Sequence, residues 1–383
     1  MRRISMCCTI AAVTAMTAGL ATSPTAAAQR DIQVTCSTSD LISKLKNAQT
    51  GDTFQLARNC TYSLTTPYQG GDDGLPPIKK RITIHGRDST ISRDPAFGNQ
   101  FRIFDIAAGG DLHADDLTIQ QGNASGDGGG ILVQSGGSLE LQDSSLIDNM
   151  ANDGGGVAVQ GKATIQNTFV GYNTADFAGG GLFCAGCTLQ VTRGSDFYEN
   201  SATGFGGGVD IESGSGTLLF DDTTLEENMA PTGAALETER ATVEVDRGHV
   251  THNTTTSKSG GGALYNGASP QTGSLTLDHT DVTENLSSGI GSGIFSETKL
   301  TLRSSTVSNN RANGTKSKAG GIYKASGNVT LDHSRVRENV STLAPGGVYN
   351  DTSGTFSVIH SSITANKPTN CKGSPAPVPD CVN

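Results

Sequence analysis

A two-part signature that returns about every 27 residues between Gly128 and Asn366 constrains this chain more than any other feature. Its first half is a glycine or small-residue run closed by an apolar residue. It reads Gly128-Gly129-Gly130-Ile131, Gly154-Gly155-Gly156-Val157, Gly179-Gly180-Gly181-Leu182 and Gly206-Gly207-Gly208-Val209, then Gly320-Gly321-Ile322 and Gly346-Gly347-Val348. Its second half sets Asn149, Asn173, Asn200, Asn228, Asn253, Asn285, Asn310, Asn339 and Asn366 each three places behind an apolar residue. Between the halves lie alternating segments such as Leu139-Glu140-Leu141, Val243-Glu244-Val245, Leu275-Thr276-Leu277 and Val329-Thr330-Leu331. Apolar-polar-apolar order is the period of a strand with one buried face.

A fixed period of this length marks units that stack on their neighbours. About three short strands fall in each unit, and Asn-Gly or Asp-Gly pairs are not spaced regularly enough to join them as hairpins. Coiling remains, with each strand paired in parallel to its equivalent one turn later. The expected fold is all-β, a right-handed parallel β-helix of about ten coils, roughly 50 Å long at about 4.8 Å per coil. Stacked Asn amides would hydrogen-bond along the axis, and the glycines would serve bends of positive φ or close backbone approach.

Composition fits a narrow core: only 34% of residues are apolar, Gly numbers 50 and Trp is absent. Residues 1–28 read as an export signal, with basic Arg2-Arg3, an apolar stretch from Cys7 to Leu20, and Ala26-Ala27-Ala28 before Gln29. No later segment is apolar enough to span a bilayer. The mature chain is therefore expected to be secreted and extracellular, without a membrane span. The net charge of −10 becomes more negative once Arg2 and Arg3 leave, which argues against nucleic acid, whose binding rests on phosphate neutralisation.

Six cysteines remain for an oxidising compartment, so disulfides are expected. Cys36 with Cys60 and Cys371 with Cys381 would staple the two ends. Cys184-Ala185-Gly186-Cys187 reads as a local turn disulfide rather than a redox or metal pair, since no second pair supplies further ligands. Residues 29–122 are assigned to an N-terminal cap and first irregular coils, 123–366 to regular repeats, and 367–383 to a disulfide-closed tail. In the cap, Ser39 is expected to start a short helix with Leu41, Ile42, Leu45 and Ala48 on one face, covering the open first coil. Segments 54–56, 61–64 and 81–85 read as first strands and 69–77 as an excursion loop.

The glycine run followed by an apolar-x-x-Asn motif, as in Phe197 to Asn200, resembles the repeats of chlamydial polymorphic membrane proteins. More widely, the entry region 36–64 and Arg81-Ile82-Thr83-Ile84-His85-Gly86 are similar to the opening of pectin-lyase-like β-helix proteins. That resemblance spans the chain from Cys36 onward and implies the fold. It does not carry the membrane attachment of the polymorphic proteins, for which no C-terminal barrel follows. Galacturonases of this superfamily carry Asn-Thr-Asp, Asp-Asp, Gly-His-Gly and Arg-Ile-Lys motifs. Here Asp115-Asp116 and Asp221-Asp222 occur, without Gly-His-Gly or Arg-Ile-Lys.

Stacking turns equivalent positions into columns. Tyr265, Phe295, Tyr323 and Tyr349, with Phe183 earlier, form an aromatic column that would bind sugar rings if it faced solvent. Strand parity favours outward, yet it would turn Asn266, Ser296, Lys324 and Asn350 inward, and the balance favours an internal stack. An acidic column of Asp221, Asp246, Asp278 and Asp332, with Glu227, Glu284 and Glu338 six residues on, offers oxygen ligands for Ca²⁺. Asp278, Glu284, Asp332 and Glu338 are the candidate metal ligands, against a solvated acidic face neighboured by Arg247, Arg303, Arg335 and Arg337. His279, His333 and His360 form a third column at a bend. No cofactor is required by this pattern, and Ca²⁺ is a possible one. With repeat lengths nearly even apart from extra turn material at Ser269-Pro270-Gln271, the expected function is non-catalytic: a secreted rod, adhesin-like or structural, binding a polysaccharide or cell-surface glycan. The alternative is a polysaccharide lyase or glycoside hydrolase.

Overall fold

From Ile131 to Ser341 each coil of the protein, in a computed structural model, lays down four short strands, and these pair in parallel with their equivalents in neighbouring coils. The described residues are 30–267 and 272–383; the export-signal reading, Cys7 and Cys8, and the Ser269-Pro270-Gln271 insertion lie outside them. One coil shows the plan: Val157–Val159, Lys162–Gln166, Phe169–Gly171 and Thr174–Ala178. We call the four resulting ladders A to D. In ladder A, Val157 pairs with Ile131 and Leu182; in ladder B, Ala163 pairs with Leu139 and Leu189. In ladder C, Val170 pairs with Leu146 and Phe197, and in ladder D, Thr174 pairs with Met150 and Ser201. The chain is a right-handed parallel β-helix of about 11 turns. The fourth strand, beyond the three expected, exists because a small residue after each Asn points inward: Ala151, Ala175, Ala202 and Ala230 are buried.

The inward positions build one core along the whole rod. Ladder B gives Leu139 and Leu141, Leu218 and Phe220, Leu275 and Leu277; ladder C gives the apolar residue ahead of each Asn. Coiling starts ahead of the glycine signature, since Asp31–Gln33 already pairs with Asp52–Gln55, which pairs with Arg81–Arg93.

Glycine makes two of the left-handed corners: the entry to ladder A, and the turn between ladders A and B, where Gly109, Gly136, Gly216, Gly327 and Gly354 have φ of 70 to 80°. Entering ladder A, Gly128, Gly154, Gly179 and Gly206 have φ of 56 to 70°. The next glycine is needed for space, because a Cβ on Gly180 would sit 2.4 Å from the carbonyl oxygens of Gly207 and Ser201. Between ladders B and C the corner belongs to Asp143, Asn167, Asp222, Arg247, His279, Ser304, His333 and His360, with φ of 43 to 53°. Between ladders C and D it belongs to residues such as Tyr172, Glu227, His252, Glu284 and Glu338. Such conformations cost side-chain-bearing residues on the order of 1 kcal/mol each and persist because hydrogen-bonded columns hold the corners.

Two side-chain columns do this. The first is the Asn ladder, in which each amide donates one coil back and one coil forward. Asn173 Nδ2 reaches Leu146 O at 2.9 Å and Asn200 Oδ1 at 3.0 Å, and the Asn173 N–H also donates to Asn200 Oδ1 at 3.1 Å. The second is a hydroxyl ladder that the repeat signature did not reveal. The Thr280 N–H donates to Ser305 Oγ at 3.0 Å, the Ser305 N–H to Ser334 Oγ at 3.2 Å, and the Ser334 N–H to Ser361 Oγ at 2.9 Å. Ser305→Ala is expected to leave the buried Thr280 N–H unpaired and to cost about 1–3 kcal/mol, read as a shift in the urea unfolding curve.

Both ends are closed. The helix spans Thr38–Lys46 and buries Leu41 and Leu45 against the first coil. Its N-cap is Ser37 rather than Ser39, because the helix begins earlier and Ser37 Oγ accepts from the Asp40 N–H. Asp40 in turn accepts from Thr35 and Lys44, which holds its carboxyl down to about 2. At the far end Asn370 extends the amide ladder, its Oδ1 accepting from Asn366 N at 2.9 Å and Asn366 Nδ2 at 3.0 Å. Disulfides join Cys36 to Cys60, Cys184 to Cys187 and Cys371 to Cys381. Among the described residues no helix is long and apolar enough to cross a membrane.

Candidate functional site

A three-residue strand of ladder A has its first and third side chains in the core and its middle one outside. Parallel register stacks the middle residues into one outward column: Leu132, Ala158, Phe183, Asp210, Glu237, Tyr265, Phe295, Tyr323, Tyr349. The aromatic residues therefore stand outside the core, contrary to the internal stack favoured from sequence. The inward polar residues that weighed against this are accommodated by hydrogen bonds. Asn266 Nδ2 donates to Lys299 O at 3.0 Å and its Oδ1 accepts from Thr298 Oγ1 at 2.7 Å. The buried Lys324 ammonium donates to Asp351 O and Ser353 O, and Asn350 Nδ2 donates to Pro377 O at 2.7 Å.

The rings lie nearly parallel, with planes 2°, 4° and 7° apart and centroids 5.1, 5.2 and 4.5 Å apart. Each ring thus covers its neighbour's face, and a ligand over Phe295 or Tyr323 would meet ring edges. Tyr265, at the head of the stack, keeps its second face toward the Glu237 coil.

Two carboxyls occupy the next two places of that column. Asp210 and Glu237 are register partners on adjacent coils, bracketed by Phe183 and Tyr265. They are only 6% and 3% exposed, yet they line a cleft of about 290 Å³ with Asp153, Glu212, Glu239 and the rings of Phe177 and Phe205. Those two rings meet edge to face at 5.3 Å on the rim. Glu237 accepts from Thr232 Oγ1 at 2.6 Å. Among the described residues no hydrogen-bond donor reaches the Asp210 carboxyl. Burial, reinforced by the charges of Glu239, Asp153 and Glu212, pushes Asp210 up to about 8. Burial and then the Asp210 charge push Glu237 well above the usual carboxylate range. Two like groups desolvated side by side hold a proton at neutral pH. The nearby cation, Arg240, is held between Glu212 at 3.0 Å and Glu239 at 3.2 Å.

Sequence reading followed this column back only to Tyr265, with Phe183 noted apart. The signal it passed over is a carboxylate at the centre of an apolar-flanked triplet after the small-residue run, in Val209-Asp210-Ile211 and Leu236-Glu237-Thr238.

The acidic candidates fall on other faces. Asp278 ends a ladder B strand, where His279 Nδ1 lies 2.8 Å from it and 4.0 Å from Asp246. Asp332 is 2.7 Å from His333 Nδ1, and the His333 and His360 rings are 4.8 Å apart. Glu284 and Glu338 sit at the following corner, where Glu284 pairs with His252 at 2.8 Å and Glu338 with Arg337. The structure thus groups Asp278 with Asp246 and His279, and Asp332 with His333 and His360, and sets Glu284 and Glu338 apart from both. Each group offers three exposed donors including imidazole, whereas Ca²⁺ takes six to eight oxygens. Asp221 is bound to Arg247 and Asp115 to His85, so neither adjacent Asp pair lies in the ladder A cleft. Cys184 and Cys187 are buried beside Phe183 as a disulfide.

Residues 106–273, which include the carboxyl pair, match the family model described as a right-handed beta helix region. No curated protein matches the chain.

Proposed function

We propose that the protein is a glycoside hydrolase acting on an extracellular polysaccharide that lies along the outer face of ladder A. The observation that carries this reading is the Asp210–Glu237 pair: two desolvated carboxyls, one coil apart, in an aromatic-flanked cleft. Glycoside hydrolysis needs one carboxyl that holds a proton and one that does not. Burial and then the Asp210 charge hold Glu237 well above the usual carboxylate range, so Glu237 keeps the proton, whereas Asp210, pushed up to about 8, ionises first. Glu237 delivers that proton to the glycosidic oxygen as the C1–O bond breaks. Asp210 takes the opposite role at C1, as nucleophile or as base to the water whose oxygen ends on C1. The water's remaining proton restores the acid. Adjacent-coil spacing of about 4.8 Å is nearer the separation used by retaining enzymes than by inverting ones. The rings of Phe177, Phe183 and Phe205 supply apolar surface for sugar faces and keep water off the pair.

A lyase is less well supported, because it needs a base and a neutralised uronate, and Arg240 is already occupied by two carboxylates. The three disulfides suit the secreted location such a substrate requires.

The test is release of reducing ends from a panel of neutral, acidic and basic polysaccharides, with and without a Ca²⁺ chelator. Wild-type protein is expected to release them without unsaturated products, and Asp210→Asn or Glu237→Gln to lower the rate by about 10²–10⁴-fold with the fold intact. Activity should rise as pH approaches about 8, where Asp210 loses its proton while Glu237 keeps its own. Saccharide binding without cleavage by wild-type protein would leave a non-catalytic binding rod, and full activity in either variant would remove the pair from the chemistry.

A further inference from the structure

The floor of the ladder A cleft continues into two walls whose charge is almost entirely of one sign. On one side, Asp127 and Asp153 stand just ahead of the glycine corners of successive coils, and burial, followed by the Asp127 charge, raises Asp153. On the other, Glu212, Glu239 and Glu297 each follow a ladder A strand, Val209–Gly214 containing the first of them. Arg240 is the cation among them, and its guanidinium is shared between Glu212 and Glu239, so it offers no free charge to an incoming anion. Acidic walls alone are common on soluble proteins. Here they surround a polar side chain more than nine-tenths buried, Asp210, which faces the cleft without a hydrogen-bond donor from the described residues.

From this arrangement, and resting on the hydrolase reading for the bond that is cut, we infer that the cleft takes a polysaccharide carrying protonated amino groups, a basic amino-sugar polymer. A uronate chain would bring one negative charge per residue into a cleft that already holds several, with little water to screen them. A neutral chain would bring no cation to balance the walls, where the one guanidinium of Arg240 serves two of the carboxylates. Ammonium groups on successive sugars would form charge-assisted hydrogen bonds to them, and the field along the rod would draw a polycation toward the pair. The sugar backbone would rest on Phe183, Phe177 and Phe205.

The experiment uses the full chain and oligomers matched in linkage: β-1,4-linked glucosamine and α-1,4-linked galactosamine, each with its N-acetylated neutral counterpart, and oligogalacturonate. The basic oligomers should be preferred over the N-acetylated ones by 10-fold or more in kcat/KM, and that preference should shrink about 10-fold between low and physiological salt. Glu212→Gln with Glu239→Gln should raise KM for the basic oligomer with little change in kcat. Binding of the same fluorescent oligomers to Asp210→Asn protein reads the charge preference separately from bond cleavage. Preferential binding of a basic oligomer with no cleavage by wild-type protein would uphold the charge inference and overturn the hydrolase reading. Cleavage of neutral oligomers or oligogalacturonate at equal or greater efficiency would overturn the charge inference and leave the hydrolase reading standing. Neither cleavage nor preferential binding of either basic oligomer would overturn both.

Discussion

Asn228→Ala is expected to destabilise the rod by at least about 4 kcal/mol, more than a typical core truncation. Asn228 is fully buried and tied on both sides. Its Nδ2 donates to Phe197 O at 2.8 Å and to Asn253 Oδ1 at 3.0 Å, while its Oδ1 accepts the Asn200 N–H and Asn200 Nδ2, each at 3.0 Å. Alanine would strand the Phe197 carbonyl, the Asn200 backbone N–H and one Asn200 amide hydrogen where water does not reach. Each such group costs about 1–3 kcal/mol, before the small cavity is counted. Asn228→Asp tests the same point differently, since it keeps the acceptor, loses both donors and buries a charge. Asn370→Ala, at the end of the ladder, removes one acceptor from the partly covered Asn366 and should cost about 1 kcal/mol. Urea unfolding followed by circular dichroism gives all three. A loss below about 1 kcal/mol for Asn228→Ala would mean that the amide column is incidental to stability.

The contrast between the two side-chain ladders shows what a repeat signature reveals. Asn is the single residue type that fills both roles at its corner, accepting from the coil behind and donating to the coils behind and ahead, so it recurs unchanged and is legible at once. The hydroxyl ladder needs only one acceptor and one donor. Ser144, Thr168, Ser195, Thr223, Thr280, Ser305 and Ser334 share it, and alternation between two common residues hides the column. The B–C corner is obscured for a related reason. Asp, Asn, Arg, Ser and His all take the left-handed conformation there, so no residue type announces it, and glycine is required only where a neighbouring backbone leaves no room for a Cβ.

Site residues were harder to read because chemistry breaks the repeat that makes a fold legible. Tyr265, Phe295, Tyr323 and Tyr349 repeat and were visible as a column. Asp210 and Glu237 occupy the same column but substitute acids into it. In one dimension each looks like an ordinary polar residue in a short strand. Only stacking places them together, and only the flanking rings and rim make them buried. The orientation of the aromatic column was open for a similar reason, since alternation gave the right parity but polar Asn266 and Lys324 appeared unfit for an interior. Local carbonyls and hydroxyls near the strand ends satisfy them.

Asp210→Asn is expected to make the protein more stable at neutral pH while removing the activity proposed for it. The carboxyl of Asp210 is held up near 8, principally by burial, whereas an unfolded chain would ionise it near 3.9. Between those values the native state binds a proton that the unfolded state does not. Stability therefore falls as pH rises across that window, because unfolding releases the proton more readily at higher pH. Three pH units within the window, from 4.5 to 7.5, correspond to a loss of about 4 kcal/mol at most. Asparagine has no proton to lose, so the variant's unfolding free energy should run flatter over the same range. It should match wild type near pH 4.5 and exceed it near pH 7.5. Parallel curves for wild type and variant would show that Asp210 does not hold a proton at neutral pH and would withdraw the coupled pair from the proposed chemistry. A flattened curve with lost activity is what a strained catalytic pair predicts: the groups that would break a glycosidic bond are the ones the fold would be more stable without.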